Sequence, residues 1–495
     1  MMNPIKALKF NIFWRKSAWI LFLLLSIYFN AQKTDYLMNC WTKQVSPLEN
    51  NILNINYSES YNALEHDFNP WDQTNYNIQG KVWIGQDTYN KIDKYSKDNK
   101  DYNSGIQLSK DKLLFMNYGE NKLSSVTKED MYEQYYLSAK YSPIFLLNYF
   151  KELKVKIDKK NANKEFAVYK AVINKNIVKL FINKKDYLLN KVTVVGDDEL
   201  FGDVLSVFNY KDYVDDKIYY PKNISIEKIN GKLLDEVRIS KLSIDAKVPN
   251  LLPSPENFTF KEDGKLKAET KLEKYNENIY FLELKHTDDR VLVVEFKDFM
   301  LVAEAPISSE NGEIIINEVK KIAPNKPIKY FAFGHFHPHY IGGIRSFVHK
   351  EANIIYNQFN KEYIDYIVNA PRTINPDRLQ IEPKKIKAIE LKNKLEISDG
   401  NYKMEIYYIG KKSDHTVDYQ VYYFPKEKLL FQDDLVWISK NGQLEKAGTR
   451  QEGLYKAIKD FNLDVKTVVQ SWPVSDYGVK TIIPFDELEK TVNIK

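Results

Sequence analysis

From residue 33 to about 265 the chain alternates apolar and polar positions over short runs. Gly80–Gly85, Glu165–Ile173, Ile177–Ile182 and Val192–Gly196 are examples, separated by Asn, Asp, Lys and Gly. A period of two describes a strand with one buried and one wet face, so these runs predict antiparallel hairpins. One helical stretch is predicted in this half, near 129–154, around Leu146, Leu147, Phe150 and Leu153.

From about 272 the pattern changes to strands alternating with helices. Ile279–Leu284, Val291–Phe296, Ile328–Phe333 and Asn353–Tyr356 read as strands, and Glu313–Ile322, Gly343–His349 and Lys361–Val368 as helices. Val417–Phe424 and Leu429–Phe431 flank a turn at Pro425–Lys428. This order predicts sheet layers covered by helices, an α+β chain overall. The charged stretch 253–275, with Pro253 and Pro255, reads as the connection between two separately folding parts. The expected domains are 32–265, β-rich and antiparallel, and 276–495, joined by a linker at 266–275.

The first 31 residues stand apart. Lys6, Lys9, Arg15 and Lys16 precede an apolar run at 17–29 that ends at Asn30-Ala31-Gln32. That order is a secretory signal, and the run is short for a membrane span of about 20 residues. An uncleaved amino-terminal anchor is the alternative. The expected mature protein is exported, periplasmic or secreted. Without those four charges the formal +5 falls to +1, which excludes nucleic acid and an electrostatically held membrane as partners. A single cysteine, Cys40, excludes a disulfide framework and a cysteine metal cluster, so any metal is held by His, Asp or Glu. The chain has no P-loop, Gly-x-Ser-x-Gly or dinucleotide fingerprint.

Three of the seven histidines, His335, His337 and His339, fall within five residues after a buried strand, and Gly342-Gly343 follows. Residues two apart on a strand point the same way, so His335 and His337 can present imidazoles to one point. Zinc takes such neutral nitrogens at about 2.0–2.1 Å, and a catalytic site typically has three protein ligands and an open position.

The run His335-Phe-His-Pro-His-Tyr-Ile-Gly-Gly343 resembles the His-x-His-x-Asp-His-x-Gly-Gly motif of the metallo-β-lactamase fold superfamily. Ser413-Asp-His415-Thr416, the Pro425 turn and Asp434 resemble its next histidine and its bridging aspartate. The resemblance covers about 276–475 and implies a four-layer αββα sandwich with metals at one edge. It implies a zinc site of His335, His337 and His415, with Asp434 as a ligand or as holder of the zinc-bound water. His339 is a further ligand, a proton shuttle or a group behind the ligands; its alternation with His335 and His337 favours a ligand. Asp434 and His339 are the candidate catalytic groups. The chain departs from the motif at His339, where the family has Asp, and at Tyr340, where it has His. Val468–Pro473 stands in place of Gly-His-Gly, and Ala303–Pro306 in place of Asp-Thr-Gly. One firmly held zinc is therefore expected rather than two. Tyr340 is read as a packed aromatic filling the space of a lost ligand, or as an oxyanion donor.

The function expected is an exported zinc-dependent hydrolase using metal-bound hydroxide on a small-molecule ester, thioester, lactone, amide or phosphoester. The alternative is a non-catalytic binding protein with a degenerate metal site. Gly202-Asp-Val, Ile218–Ile224, Val237–Ser240 and Asn257–Phe260 resemble the curved sheet of outer-membrane lipoprotein carriers, which implies room for an apolar ligand in the amino-terminal part. An iron protein is the weaker third reading. His66 has no partner in the sequence, His286 reads as solvated and His349 as a surface residue.

Overall fold

The computed structural model describes residues 35–494, apart from residues 65, 87, 98–99, 110–111, 118–121, 126–127, 246, 250–258 and 263–266. The signal expected at 1–31, and Pro253 and Pro255 of the connection, lie outside the described residues. Among the described residues no helix is long and apolar enough to cross a membrane.

The alternating runs of the first half form one thirteen-stranded sheet. Neighbours pair antiparallel, except that Thr259–Glu262 adds to the edge strand Lys122–Ser125 in parallel. Ile52–Ala63 lies inside the sheet, between Thr74–Ile84 and Leu233–Asp245. Its period of two turns Leu53, Ile55 and Tyr57 into the core. Three helices, Tyr36–Gln44, Lys128–Leu137 and Ile144–Glu152, contribute to the same core through Leu37, Tyr136, Phe145 and Phe150.

Two of these helices occupy the stretch expected to be helical, broken where Pro143 keeps Ser142 out of helical geometry and begins the second helix. The third was not expected. Tyr36–Gln44 is nine residues long, buries only Leu37, Cys40 and Gln44, and is held at its start by Asp35, which accepts from the Met38 amide.

In the second half a seven-stranded sheet runs from Thr270–Lys274 to Lys387–Glu390. Its first four strands are antiparallel and its last four parallel. Helices Ser309–Ile322, Ile344–His349 and Lys361–Asn369 cover one face, where Ile315, Phe347 and Ile364 meet Val293, Val302 and Phe331. The other face, through Leu292, Val294 and Leu301, meets Met404, Ile406 and Phe431 of a six-stranded sheet. Helices Thr449–Asp460 and Phe485–Val492 pack on that second sheet through Leu454, Ile458 and Leu488. The molecule is mixed α+β and mostly sheet.

The two halves touch along one seam. The Arg372 guanidinium donates to the carbonyls of Asp198, Glu199 and Leu200. The Asp203 amide donates to the Pro371 carbonyl at 2.7 Å. Gly202, at φ +70, leaves no room for a Cβ against that same carbonyl. Trp71 packs its ring on Phe201, Tyr363 and Tyr366.

Candidate metal centre

The central strand Ile328–Ala332 ends one residue earlier than the pattern predicts. Past it the Phe333 carbonyl accepts from the Gln420 side chain and the Gly334 carbonyl from the Gln420 amide, which draws the chain across the seam of the two sheets. His337 is extended (φ −64, ψ 149) and caps a single helical turn, Pro338–Ile341, with Pro at the first helical position, where its missing N–H costs nothing. His415 lies on a separate loop, whose Ser413 hydroxyl accepts from the amides of His415 and Thr416.

These two loops bring His335, His337 and His415 together, each with a ligand atom within 4.8 Å of the others. All three are buried. Asp433 accepts from His335 Nδ1 at 2.6 Å, leaving Nε2. The Asp67 carbonyl accepts from His337 Nε2 at 3.2 Å, leaving Nδ1. These two remaining nitrogens lie 2.8 Å apart. His337 must donate to the carbonyl, so its Nδ1 carries a lone pair. With His335 donating to Asp433, two lone pairs face each other. A proton on His335 Nε2 removes the conflict, with Asp433 then carrying a proton towards Nδ1, or a cation takes the proton's place. Neither ring nitrogen of His415 has a hydrogen-bond partner, although Nε2 lies 3.1 Å from Asp434 Oδ2. Buried, orphaned imidazole nitrogens aimed at one point fit a metal such as zinc.

Electrostatics agree with that donor set. Burial, reinforced by the neighbouring imidazoles, holds His335 well below the ordinary range and His337 at about 3. Both are neutral near neutral pH, as ligands must be. Behind them burial raises Glu304 to about 8 and Asp433 well above a usual carboxyl; Glu304 adds to the rise at Asp433, whereas the hydrogen bond with Asp433 partly offsets the rise at Glu304. Glu304 accepts from the Gly334 amide at 3.1 Å, and a side chain at residue 334 would collide with the Asp433 carboxylate. Burial also pushes Asp434 up, but His415, His337 and Arg450 outweigh it and keep its pKa below the usual value. The Tyr419 ring stacks on His335 at 4.8 Å, and its hydroxyl accepts from the amides of Asp433 and Asp434.

Of the five residues expected at the metal, His335, His337 and His415 converge, and Asp434 stands beside His415. His339 lies outside that group. The strand alternation expected to carry it there stops before His335, and His339 sits in the helical turn with Nδ1 3.0 Å from both oxygens of Asp289. Asp289 is fully buried and raised to about 6 by that burial, which His339 partly offsets. Burial lowers His339, but Asp289 more than compensates, and its pKa ends above the ordinary value. Tyr340 is 3% exposed, with its ring 4.4 Å from His335, packed in the apolar core.

Asp433, Glu304, Asp289 and Asp67 were not expected here, and His66 was set aside as partnerless. Its ring stands edge-on to His337 at 4.7 Å and lies 6.4 Å from that of His339. His286, expected to be solvated, has Nε2 2.8 Å from Asn311 Oδ1. His349 pairs with Glu382 at 3.1 Å.

No family model matches the chain, and no curated protein does. Among solved structures it is similar to DIM-1 metallo-beta-lactamase, at 19% identity and TM-score 0.33 over 45% of this chain and 95% of that one. It is similar to a metallo-beta-lactamase from Pontibacter korlensis, at 16% identity and TM-score 0.34 over 45% and 97%. The mono-zinc form of FIM-1 from Pseudomonas aeruginosa aligns at 16% identity and TM-score 0.33, over 46% and 96%.

Proposed function

We propose that the protein is a metal-dependent hydrolase of the metallo-β-lactamase type. In this reading its second half is the four-layer αββα sandwich, and one zinc is held by His335, His337 and His415. The observation that carries it is the convergence of three buried imidazoles, with the remaining nitrogens of His335 and His337 turned on one another and those of His415 without a hydrogen-bond partner. Zinc bound there would acidify a water and polarise a carbonyl or phosphoryl oxygen.

The chain's own groups would do the rest. Asp433 and the Asp67 carbonyl fix the ring orientation and tautomer of His335 and His337. Asp434, ionised and 3.1 Å from His415, accepts the proton of an attacking water at its carboxylate. His339, kept protonated by Asp289, donates from Nε2 to a leaving group. The buried Tyr419 and Tyr340 rings keep bulk water off the ligands. The substrate is a small ester, thioester, lactone, amide or phosphoester. The basic and then apolar amino-terminal order supports export, with a mature chain beginning near Gln32.

Metal analysis of the purified mature protein, together with turnover of generic ester and phosphodiester substrates, tests the reading. About one zinc per chain and turnover abolished by a chelator is the expected result. Zinc without turnover would favour the binding-protein alternative. In that case a cavity of about 270 Å³ lined by Leu108, Met131, Phe145 and Tyr149 is the place for an apolar ligand.

A further inference from the structure

Six arginines fall among the described residues, and five of them have a carboxylate within 3.8 Å. Arg450 alone has neither an ion pair nor a hydrogen bond, although it is half-buried. A guanidinium matches carboxylate and phosphate oxygens, and one partly withdrawn from water without them gives up hydration and gains no partner. Its position does not serve the helix either. Arg450 is the second residue of Thr449–Asp460, and a cation in the first turn opposes the helix dipole.

The fold carries this side chain to the metal centre. Gly453, one turn further along the same helix face, leaves no room for a Cβ against the Lys412 carbonyl, so that face lies on the loop that holds His415. The neighbouring Gln451 side chain accepts from the Trp437 amide at 3.1 Å, which ties the helix start to the chain just past Asp434. Arg450 therefore stands between the two loops that bring His415 and Asp434 to the site. Its charge is felt at Asp434 and at the buried His335, yet it does not close on Asp434, which lies against His415 instead.

An unpaired cation over the reacting centre calls for a substrate that brings a negative charge to that point. Ester, thioester, lactone and amide groups are neutral, whereas a phosphodiester is an anion at the reacting group itself. We propose that the substrate is a phosphodiester and that Arg450 binds a non-bridging oxygen of its phosphoryl group. The proposal rests on the hydrolase reading above and selects one of its substrate classes. The planar fork of donors fits phosphoryl oxygens and meets the charge that spreads over them during the reaction. In that reaction the water oxygen forms a bond to phosphorus while its proton passes to Asp434. The bond from phosphorus to the leaving oxygen breaks with its electron pair on that oxygen, which takes the His339 proton. A phosphodiester and water thus give a phosphomonoester and an alcohol.

The test uses the full mature chain loaded with zinc and two substrates that share a leaving group, bis(p-nitrophenyl) phosphate and p-nitrophenyl acetate. Arg450→Gln should lower kcat/KM for the phosphate, relative to that for the acetate, by about thirtyfold, the size of a lost charge-assisted hydrogen bond. Arg450→Lys, which keeps the charge but not the fork, should recover part of that ratio. Any effect of the charge on Asp434 acts on both substrates and cancels. Diphenyl phosphate, whose leaving groups are too poor for rapid cleavage, is titrated by calorimetry. Arg450→Gln should weaken its binding about tenfold, with zinc content and unfolding temperature equal to wild type. Turnover of the acetate with neither cleavage of the diester nor binding of diphenyl phosphate overturns the proposal and leaves the hydrolase standing. An unchanged ratio in Arg450→Gln does the same. Diphenyl phosphate bound through Arg450, with neither substrate turned over, overturns the hydrolase reading and keeps the phosphate site.

Discussion

Each half of the molecule buries a cluster of ionisable side chains, and the two clusters are satisfied in opposite ways. Beneath the large sheet Tyr57 and Lys91 both meet Asp93, and Glu59 takes Lys140 at 2.7 Å and Tyr141 at 3.2 Å. Lys228 closes on Asp235 at 2.7 Å. Each of these carboxylates has a cation against it, so the network is complete within the chain. At the other site three buried imidazoles crowd together, and His415 has ring nitrogens that no hydrogen bond uses. A closed network resists change and gains nothing from a ligand. An open one is short of a positive charge, and a cation can supply it.

The sharpest way to break this contrast is to remove a ligand. His337→Ala should drop bound zinc from about one equivalent to less than a tenth, and His349→Ala should not change it, as counted by metal analysis. Equal retention would make the histidine cluster structural. In the closed network the damage should appear as stability instead. Glu59→Ala leaves Lys140 and Tyr141 without their carboxylate and should cost about 3 kcal/mol, the low end for a broken buried pair because the Lys140 side chain is 22% exposed. Urea unfolding measures it, and the zinc content of the folded variant should be normal. Zinc at a hundred times its dissociation constant should stabilise the wild type by about 2.7 kcal/mol and His337→Ala not at all.

The pH dependence of the metal-free protein sharpens the contrast further. His335 and His337 are neutral when folded but take protons near pH 6.5 when unfolded. Each therefore removes about 1.4 kcal/mol of stability per unit as pH falls from 6.5, for His337 down to about 3. Glu304 and Asp433 hold protons in the fold that the unfolded chain releases above about 4.3, so they lose stability as pH rises. Between about 4.3 and 6.5 the two pairs oppose one another; below about 4.3 the imidazoles stand alone. Asp289, raised to about 6, adds to the loss as pH rises within that window, so an acid limb that steepens below about 4.3 is expected in unfolding free energy against pH. His337→Gln should make that limb shallower by about 1.4 kcal/mol per unit. The smallest effect belongs to the seam. Trp71→Ala loses three ring contacts at a half-buried position and should cost about 1–2 kcal/mol.

Much of the scaffold could be read from periodicity. The strand at Asn353–Tyr356 falls where the pattern puts it, and the helix at Lys361–Asn369 runs one residue further. His335 and His337 announce themselves by spacing and by the Gly-Gly that follows, and His415 only through the family resemblance of the loop that carries it. What escaped has no local signal. His66 sits in an aperiodic connection some 270 residues from His337, and only the folding of one half on the other makes them neighbours. The adjacent pair Asp433 and Asp434 cannot be divided by pattern: one turns inward to His335 and the other towards solvent and His415. His339 has a spacing that looks like a third strand position but follows the strand's end.

The seam has a consequence for how the chain can be cut. Arg372 on three consecutive carbonyls, Asp203 on the Thr373 and Ile374 amides, and Trp71 in its aromatic slot all join segments far from the covalent connection at 253–275. Two polypeptides produced separately, divided within that connection, have every one of these contacts available for reassembly. Because His337 needs the Asp67 carbonyl from the other piece to set its ring, such a pair would work as a complementation system in which recovered metal affinity reports that the pieces have met.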